Sequence, residues 1–177
     1  REAGINFRAP EAGTRQLVMV FDANWAGDKT SRRSVDSYVI LLYGNAIDFG
    51  SRKQKFTAMS SFESELGGCA RGGGAVKAVG AVLLGMGIML ELPVPTYGDN
   101  QGVLKNLVNV THGSSAKHID IRMFWMKDEV EHGVFEPLHV LSAGNIADAG
   151  TKALAARTFW PLMNDVTGDH LTEVGRR

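Results

Sequence analysis

Asp22 closes the apolar run Leu17–Asp22, and Asp99 directly follows the apolar run Val94–Gly98. Glu63 and Glu65 stand just inside a helix opened by Ser60 and Ser61, and Asp148 lies near the start of another helical stretch. In a sheet covered by helices, the ends of neighbouring strands and nearby helix termini converge. Carboxylates gathered there repel one another unless a cation neutralises them. Hard divalent cations take oxygen ligands, and two of them about 3.5–4 Å apart can clamp an in-line phosphoryl displacement. The chain carries 19 acids, and the same placements also serve as turn formers and helix-dipole partners, so spacing alone leaves both uses open. No His/Cys set with zinc spacing offers a rival centre.

The elements that must position these acids can be read along the chain. Leu17–Asp22 predicts a buried strand, Val35–Tyr43 a second one rich in β-branched and aromatic residues, and Ala46–Phe49 a third, interrupted by Gly50 and Ser51. Gly44-Asn45 supplies a tight turn between the last two, so the first third reads as an antiparallel meander. Ser60 and Ser61 predict a helix running to Leu84, but each interior glycine costs about 1 kcal/mol against alanine, which predicts a break near Gly72–Gly74. Val94–Gly98 predicts a strand, Asn100–Val108 a short helix, Lys117–Glu131 a longer helix, and Pro137–Leu141 a fifth strand. Asn145–Ala155 and Thr158–Val166 predict the last two helices. The class expected is mixed α/β, a five-stranded mixed sheet with helices packed on it.

Size and composition agree with one domain. The chain has 177 residues, 44% hydrophobic and 21% charged, with 19 basic and 19 acidic residues, so the formal net charge is zero. That excludes a highly charged disordered tail but not a local basic face. Residues 1–16 read as a leader or linker, 17–166 as the domain, and 167–177 as a C-terminal tail. Cys69 is the one cysteine, so no internal disulfide can form and a reducing, intracellular compartment is expected. The first methionine is Met19, which reads as a piece of a longer product. The uncharged run Ala78–Leu90 is 13 residues long. A membrane span needs roughly 17–25, so a buried helix is expected and no membrane partner.

The run Phe21-Asp22-Ala23-Asn24-Trp25-Ala26-Gly27-Asp28, with Arg32-Arg33-Ser34 and Ser37-Tyr38-Val39 after it, resembles the ribonuclease H domain of copia-type (Ty1/copia) LTR retrotransposon Pol polyproteins. The likeness continues through Ser51–Lys55, Ser60–Glu65, Gly98–Gln101, Lys117–Arg122 and Ala147–Lys152, and covers about Val20 to Leu162. It implies the RNase H fold and endonucleolytic cutting of the RNA strand of an RNA/DNA hybrid during reverse transcription, with two Mg²⁺ or Mn²⁺ ions. By motif, Asp22, Glu65, Asp99 and Asp148 are the implied catalytic, metal-binding acids, with Glu63 as the fallback for Glu65. Asp22 would bridge the ions, Glu65 and Asp99 would hold one of them, and Asp148 would complete the other. Three departures stand out: Asn24 replaces a second acid, the helix beyond Glu65 is glycine-rich, and Met123-Phe124-Trp125 replaces the usual aromatic and histidine.

A hybrid is read by shape, phosphates and 2′-hydroxyls. Arg32, Arg33, Arg52, Lys53 and Lys55 are five of the 19 basic residues within 24 positions, and Lys117, His118 and Arg122 form a second group. Arg33, Lys53, Asn100, Lys117 and His118 are the expected nucleic-acid contacts, a solvated loop or strand edge being the plain alternative for each. The loop Ser142–Asn145 holds no histidine, which leaves proton handling to water. Partners expected are the hybrid and the reverse transcriptase part of the same polyprotein, in the cytoplasm or a virus-like particle. The competing reading is a captured domain serving as a non-catalytic binding or scaffold subunit of a larger host assembly, in an organelle or nucleus. A third is a related two-metal nuclease acting on another nucleic acid.

Overall fold

A computed structural model describes residues 6–109 and 117–167, with backbone only for 117–120 and 165. Five strands form one sheet: β1 (Leu17–Asn24), β2 (Val35–Leu42), β3 (Asn45–Lys53), β4 (Val94–Gly98) and β5 (Phe135–His139), in the spatial order β3-β2-β1-β4-β5. β1 pairs antiparallel with β2 and parallel with β4, so the sheet is mixed and β1 lies at its centre. Apolar β1 is buried on both faces, as a central strand covered on both sides must be.

The helices are α1 (Ser61–Gly85), α2 (Gln101–Val108), α3 (Lys117–Glu131) and α4 (Ala156–Thr167). Leu17, Met19 and Phe21 point to one face, where α1, α2 and α3 pack with Leu66, Val76, Leu107 and Met126. Val18 and Val20 point to the other, where Ile146, Leu162 and Val166 cover them. This alternation is the two-residue period of a strand buried on both sides.

Several expectations need correction. α1 does not break at Gly72–Gly74 but runs unbroken for 25 residues. Two of its glycines, Gly68 and Gly72, are where it meets the sheet. A Cβ on Gly68 would come within 3.0 Å of the Asp22 carbonyl oxygen, and one on Gly72 within 2.6 Å of Met19 Sδ. The helix-propensity cost is offset by a closer approach of helix to strand. β3 is not interrupted at Gly50 but continues to Lys53, because the absent side chain leaves room for Arg71, whose Nη2 donates to the carbonyls of Asp36 (2.9 Å) and Gly50 (3.0 Å). β5 begins two residues earlier than expected, since pairing with β4 sets Val94 opposite the buried Phe135. Pro137 is tolerated there because β5 is an edge strand.

The helix expected over Asn145–Ala155 is replaced by two short 3₁₀ turns, Ser142–Gly144 and Ile146–Gly150. Ala78–Leu90 is not a buried helix: Val82, Leu84, Met86 and Met89 are exposed, and α1 ends within the run. The stop is a Schellman turn, with Gly87 at φ +79°, its N–H on the Leu84 carbonyl and the Ile88 N–H on the Leu83 carbonyl. No helix among the described residues is long and apolar enough to cross a membrane.

Candidate metal centre

Each acid is placed by a different element. Asp22 sits inside the central strand β1 and is buried, with its side chain beyond the apolar residues that anchor the strand. Asp99 follows β4, the parallel neighbour of β1, so the two strand ends bring the acids side by side. Asp148 arrives on the second 3₁₀ turn, which Asn145 clamps to the sheet. The Asn145 amide donates to the Phe21 carbonyl (3.0 Å), and its Oδ1 accepts the Ala147 N–H (3.1 Å). Carboxylate oxygens of Asp22, Asp99 and Asp148 all lie within 4.8 Å of one another.

Glu63 and Glu65 have separate uses. Ser60 Oγ accepts the Glu63 N–H (3.1 Å), and Glu63 Oε2 accepts the Met59 N–H (2.7 Å), a reciprocal cap that closes the start of α1. Glu65 lies beyond this cap, buried, and accepts from the Ala23 N–H next to Asp22. It is the glutamate that feels the other acids. Burial first, then the charges of Asp22 and Asp99, push its carboxyl up to about 9. Burial likewise pushes Asp22 up to about 7; the Thr151 hydroxyl bond works against this and Asp148 adds to it. Glu65 Oε2 and Asp148 Oδ1 are buried with no hydrogen-bond partner among the described residues. Crowded acidic oxygens, two of them buried without a hydrogen-bond donor, form the donor set a hard divalent cation takes. The residues therefore fit a divalent metal.

One segment supplies a donor to each acid of the trio. Ser142 Oγ donates to Asp99 Oδ2 (2.7 Å), Thr151 Oγ1 donates to Asp22 Oδ2, and Lys152 Nζ meets Asp148 Oδ2 (2.7 Å). Burial alone would lower the Lys152 ammonium, but its bond to Asp148 and the charges of Asp22, Asp148 and Asp99 outweigh that and hold it above its usual range. Sequence reasoning assigned no role to Ser142, Asn145, Thr151 or Lys152. The Asn-x-x-Asp spacing of Asn145 and Asp148 and the i,i+4 placement of Lys152 were the signals available.

The expected nucleic-acid contacts are placed unevenly. Arg33 is exposed in the β1–β2 loop. Lys53, half exposed, pairs with Asp28 of that same loop. Asn100 follows Asp99 and caps α2 through its Oδ1 on the Val103 N–H (3.2 Å). The side chains of Lys117 and His118 lie outside the described part of the structure.

Comparison with known proteins agrees with this geometry. No family model matches the chain. A retrovirus-related Pol polyprotein from transposon RE1 of Arabidopsis thaliana is 32% identical over 149 residues, covering 84% of this chain and 10% of that protein. The chain thus spans about a tenth of the length of the curated relatives it matches. Among solved structures, LC11-RNase H1 in complex with an RNA/DNA hybrid superposes with a TM-score of 0.56 at 13% identity, over 76% of this chain and 93% of that one. The foamy viral protease-reverse transcriptase in complex with RNA/DNA hybrid superposes with a TM-score of 0.55 at 13% identity, over 83% of this chain and 21% of that one. The chain is a homologue of one segment of retrotransposon Pol polyproteins, and it has the ribonuclease H fold.

Proposed function

We propose that the chain is a ribonuclease H that hydrolyses the RNA strand of an RNA/DNA hybrid, with two Mg²⁺ or Mn²⁺ ions held by Asp22, Glu65, Asp99 and Asp148. The observation that carries this is the convergence of three carboxylates within 4.8 Å, with Glu65 buried against them. Bound there, a pair of divalent ions would supply an activated water and neutralise charge on the leaving oxygen. The protein's part is positioning. Asp22 is rigid because it belongs to the central strand, and Asp148 is rigid because Asn145 ties its turn to that strand. Arg33, Lys53, Lys117 and His118 are the proposed grips on the hybrid's phosphates. The Asn100 amide nitrogen is the proposed contact to a backbone oxygen or a ribose hydroxyl. Homology to Pol polyproteins supports a setting in reverse transcription, with the reverse transcriptase portion as partner, in a reducing intracellular compartment.

The test is cleavage of an end-labelled RNA/DNA hybrid with Mg²⁺ or Mn²⁺, beside an Asp99→Asn control. The wild-type chain should cut the RNA strand only. Removing a second-sphere partner of a metal typically costs 10–100-fold, so losing a ligand should cost at least about a hundredfold. A folded chain that binds hybrid and cuts nothing would replace this reading with the scaffold one.

A further inference from the structure

The structure assigns Lys152 a role that the proposed metal site does not by itself require: it is a built-in counter-cation that competes with the divalent ion for Asp148 and so sets how tightly the centre binds metal. The inference rests on the reading of the acids as metal ligands. Lys152 Nζ lies 2.7 Å from Asp148 Oδ2, an oxygen of the carboxylate whose other oxygen, Oδ1, has no donor among the described residues. A divalent cation drawing on Oδ2 would compete with the ammonium for that oxygen, and one on Oδ1 would still meet the ammonium's charge across the same carboxylate. The side chain is built for exchange. It is 40% exposed, against 9% for the Asp148 side chain, so the ammonium can leave toward solvent while the carboxylate stays. The backbone beside it is held still, because the Thr151 hydroxyl donates to Asp22 and the Thr151 N–H donates to the Asp148 carbonyl (3.1 Å). Ser142 and Thr151 offer neutral donors to the other two acids, so among these three donors only Lys152 brings a full charge. A unit positive charge against a divalent cation a few ångströms away opposes binding strongly at any effective dielectric found in proteins. With the ammonium in place the crowded acids are partly neutralised, and the centre fills only when divalent ion is abundant enough to displace it.

The test reads Mn²⁺ binding by electron paramagnetic resonance of the free ion, on the full chain at one fixed pH. The Lys152→Met variant should bind Mn²⁺ about tenfold more tightly than wild type. Lys152→Arg, which keeps the charge, should stay within about twofold of wild type. A folded Lys152→Met chain that binds Mn²⁺ no more tightly than wild type overturns the proposal and leaves the metal-site reading intact. Wild-type chain that binds no Mn²⁺ overturns both. A second measurement needs no variant. Pulsed amine acylation of wild-type protein, read by mass spectrometry, should label Lys152 several-fold faster in saturating Mg²⁺ than in EDTA, while Lys53, paired with Asp28 away from the exchange, keeps its rate. An unchanged or slower rate at Lys152 overturns the proposal.

Discussion

Asp22 and Glu65 are held in the fold at a cost that depends on pH. Both are buried beside other acids, and their carboxyls are pushed up to about 7 and about 9, from ordinary values of 3.8 and 4.5. A carboxyl whose value is raised in the folded state binds more protons folded than unfolded, so stability falls as pH rises between the two values. Below about pH 4 neither group contributes a penalty, and from there to about pH 9 the penalty accumulates. In EDTA, the Tm should therefore decline from pH 5 to pH 9, and saturating Mg²⁺ should remove most of the decline, because a bound cation favours the ionised acids. Thermal denaturation across that pH range, with and without Mg²⁺, checks this. A Tm that is flat in EDTA would mean that the two acids are not destabilised by burial.

The element that decides the geometry of the centre is α1. Its glycines at 68 and 72 let the helix lie directly on β1, and that closeness puts Glu65, one turn earlier, beside Asp22. The neighbour at Gly68 is backbone, which cannot swing aside. Gly68→Val should therefore push α1 away from the strand, costing about 1–3 kcal/mol and lowering hybrid cleavage well beyond what the stability loss explains. Gly74 lies in the same helix but meets nothing within 4 Å, so Gly74→Ala should stabilise by about 1 kcal/mol and leave cleavage unchanged. Urea denaturation and the cleavage assay on the two variants separate packing from propensity. Equal effects from both would sink the idea that these glycines serve contact.

At the scale of the whole molecule, the sheet divides the core in two, and the two halves relate differently to the centre. Met126 is fully buried on the α1–α3 side, whereas Ile146 is buried on the α4 side and belongs to the turn that carries Asp148. Met126→Ala and Ile146→Ala should both cost about 2–4 kcal/mol, but only Ile146→Ala should also weaken Mn²⁺ binding, because it loosens the turn that carries Asp148, one of the proposed metal ligands. Calorimetric Tm together with Mn²⁺ titration at a temperature where both variants are folded tests this. A parallel loss of metal affinity in Met126→Ala would mean that the centre depends on global stability rather than on its local anchor.

Sequence alone determined the strand order along the chain, the strand-end places of Asp22 and Asp99 and the Ser60 start of α1, because each is a local pattern: a two-residue apolar period, an acid at a run's end, a serine before a helical turn. It also carried the family resemblance, through motifs spread along most of the chain. Tertiary structure decided what local rules price wrongly or cannot see. Helix propensity charges every glycine of α1 alike, yet Gly68 and Gly72 are offset by contact with a strand more than forty residues away in sequence. That Glu63 closes the cap of α1 while Glu65 lies buried beside Asp22 depended on how the start of the helix packs against β1. Asn145, Thr151 and Lys152 gained their roles only when a turn at the end of the chain folded back onto β1, since a donor has a partner only once distant segments meet.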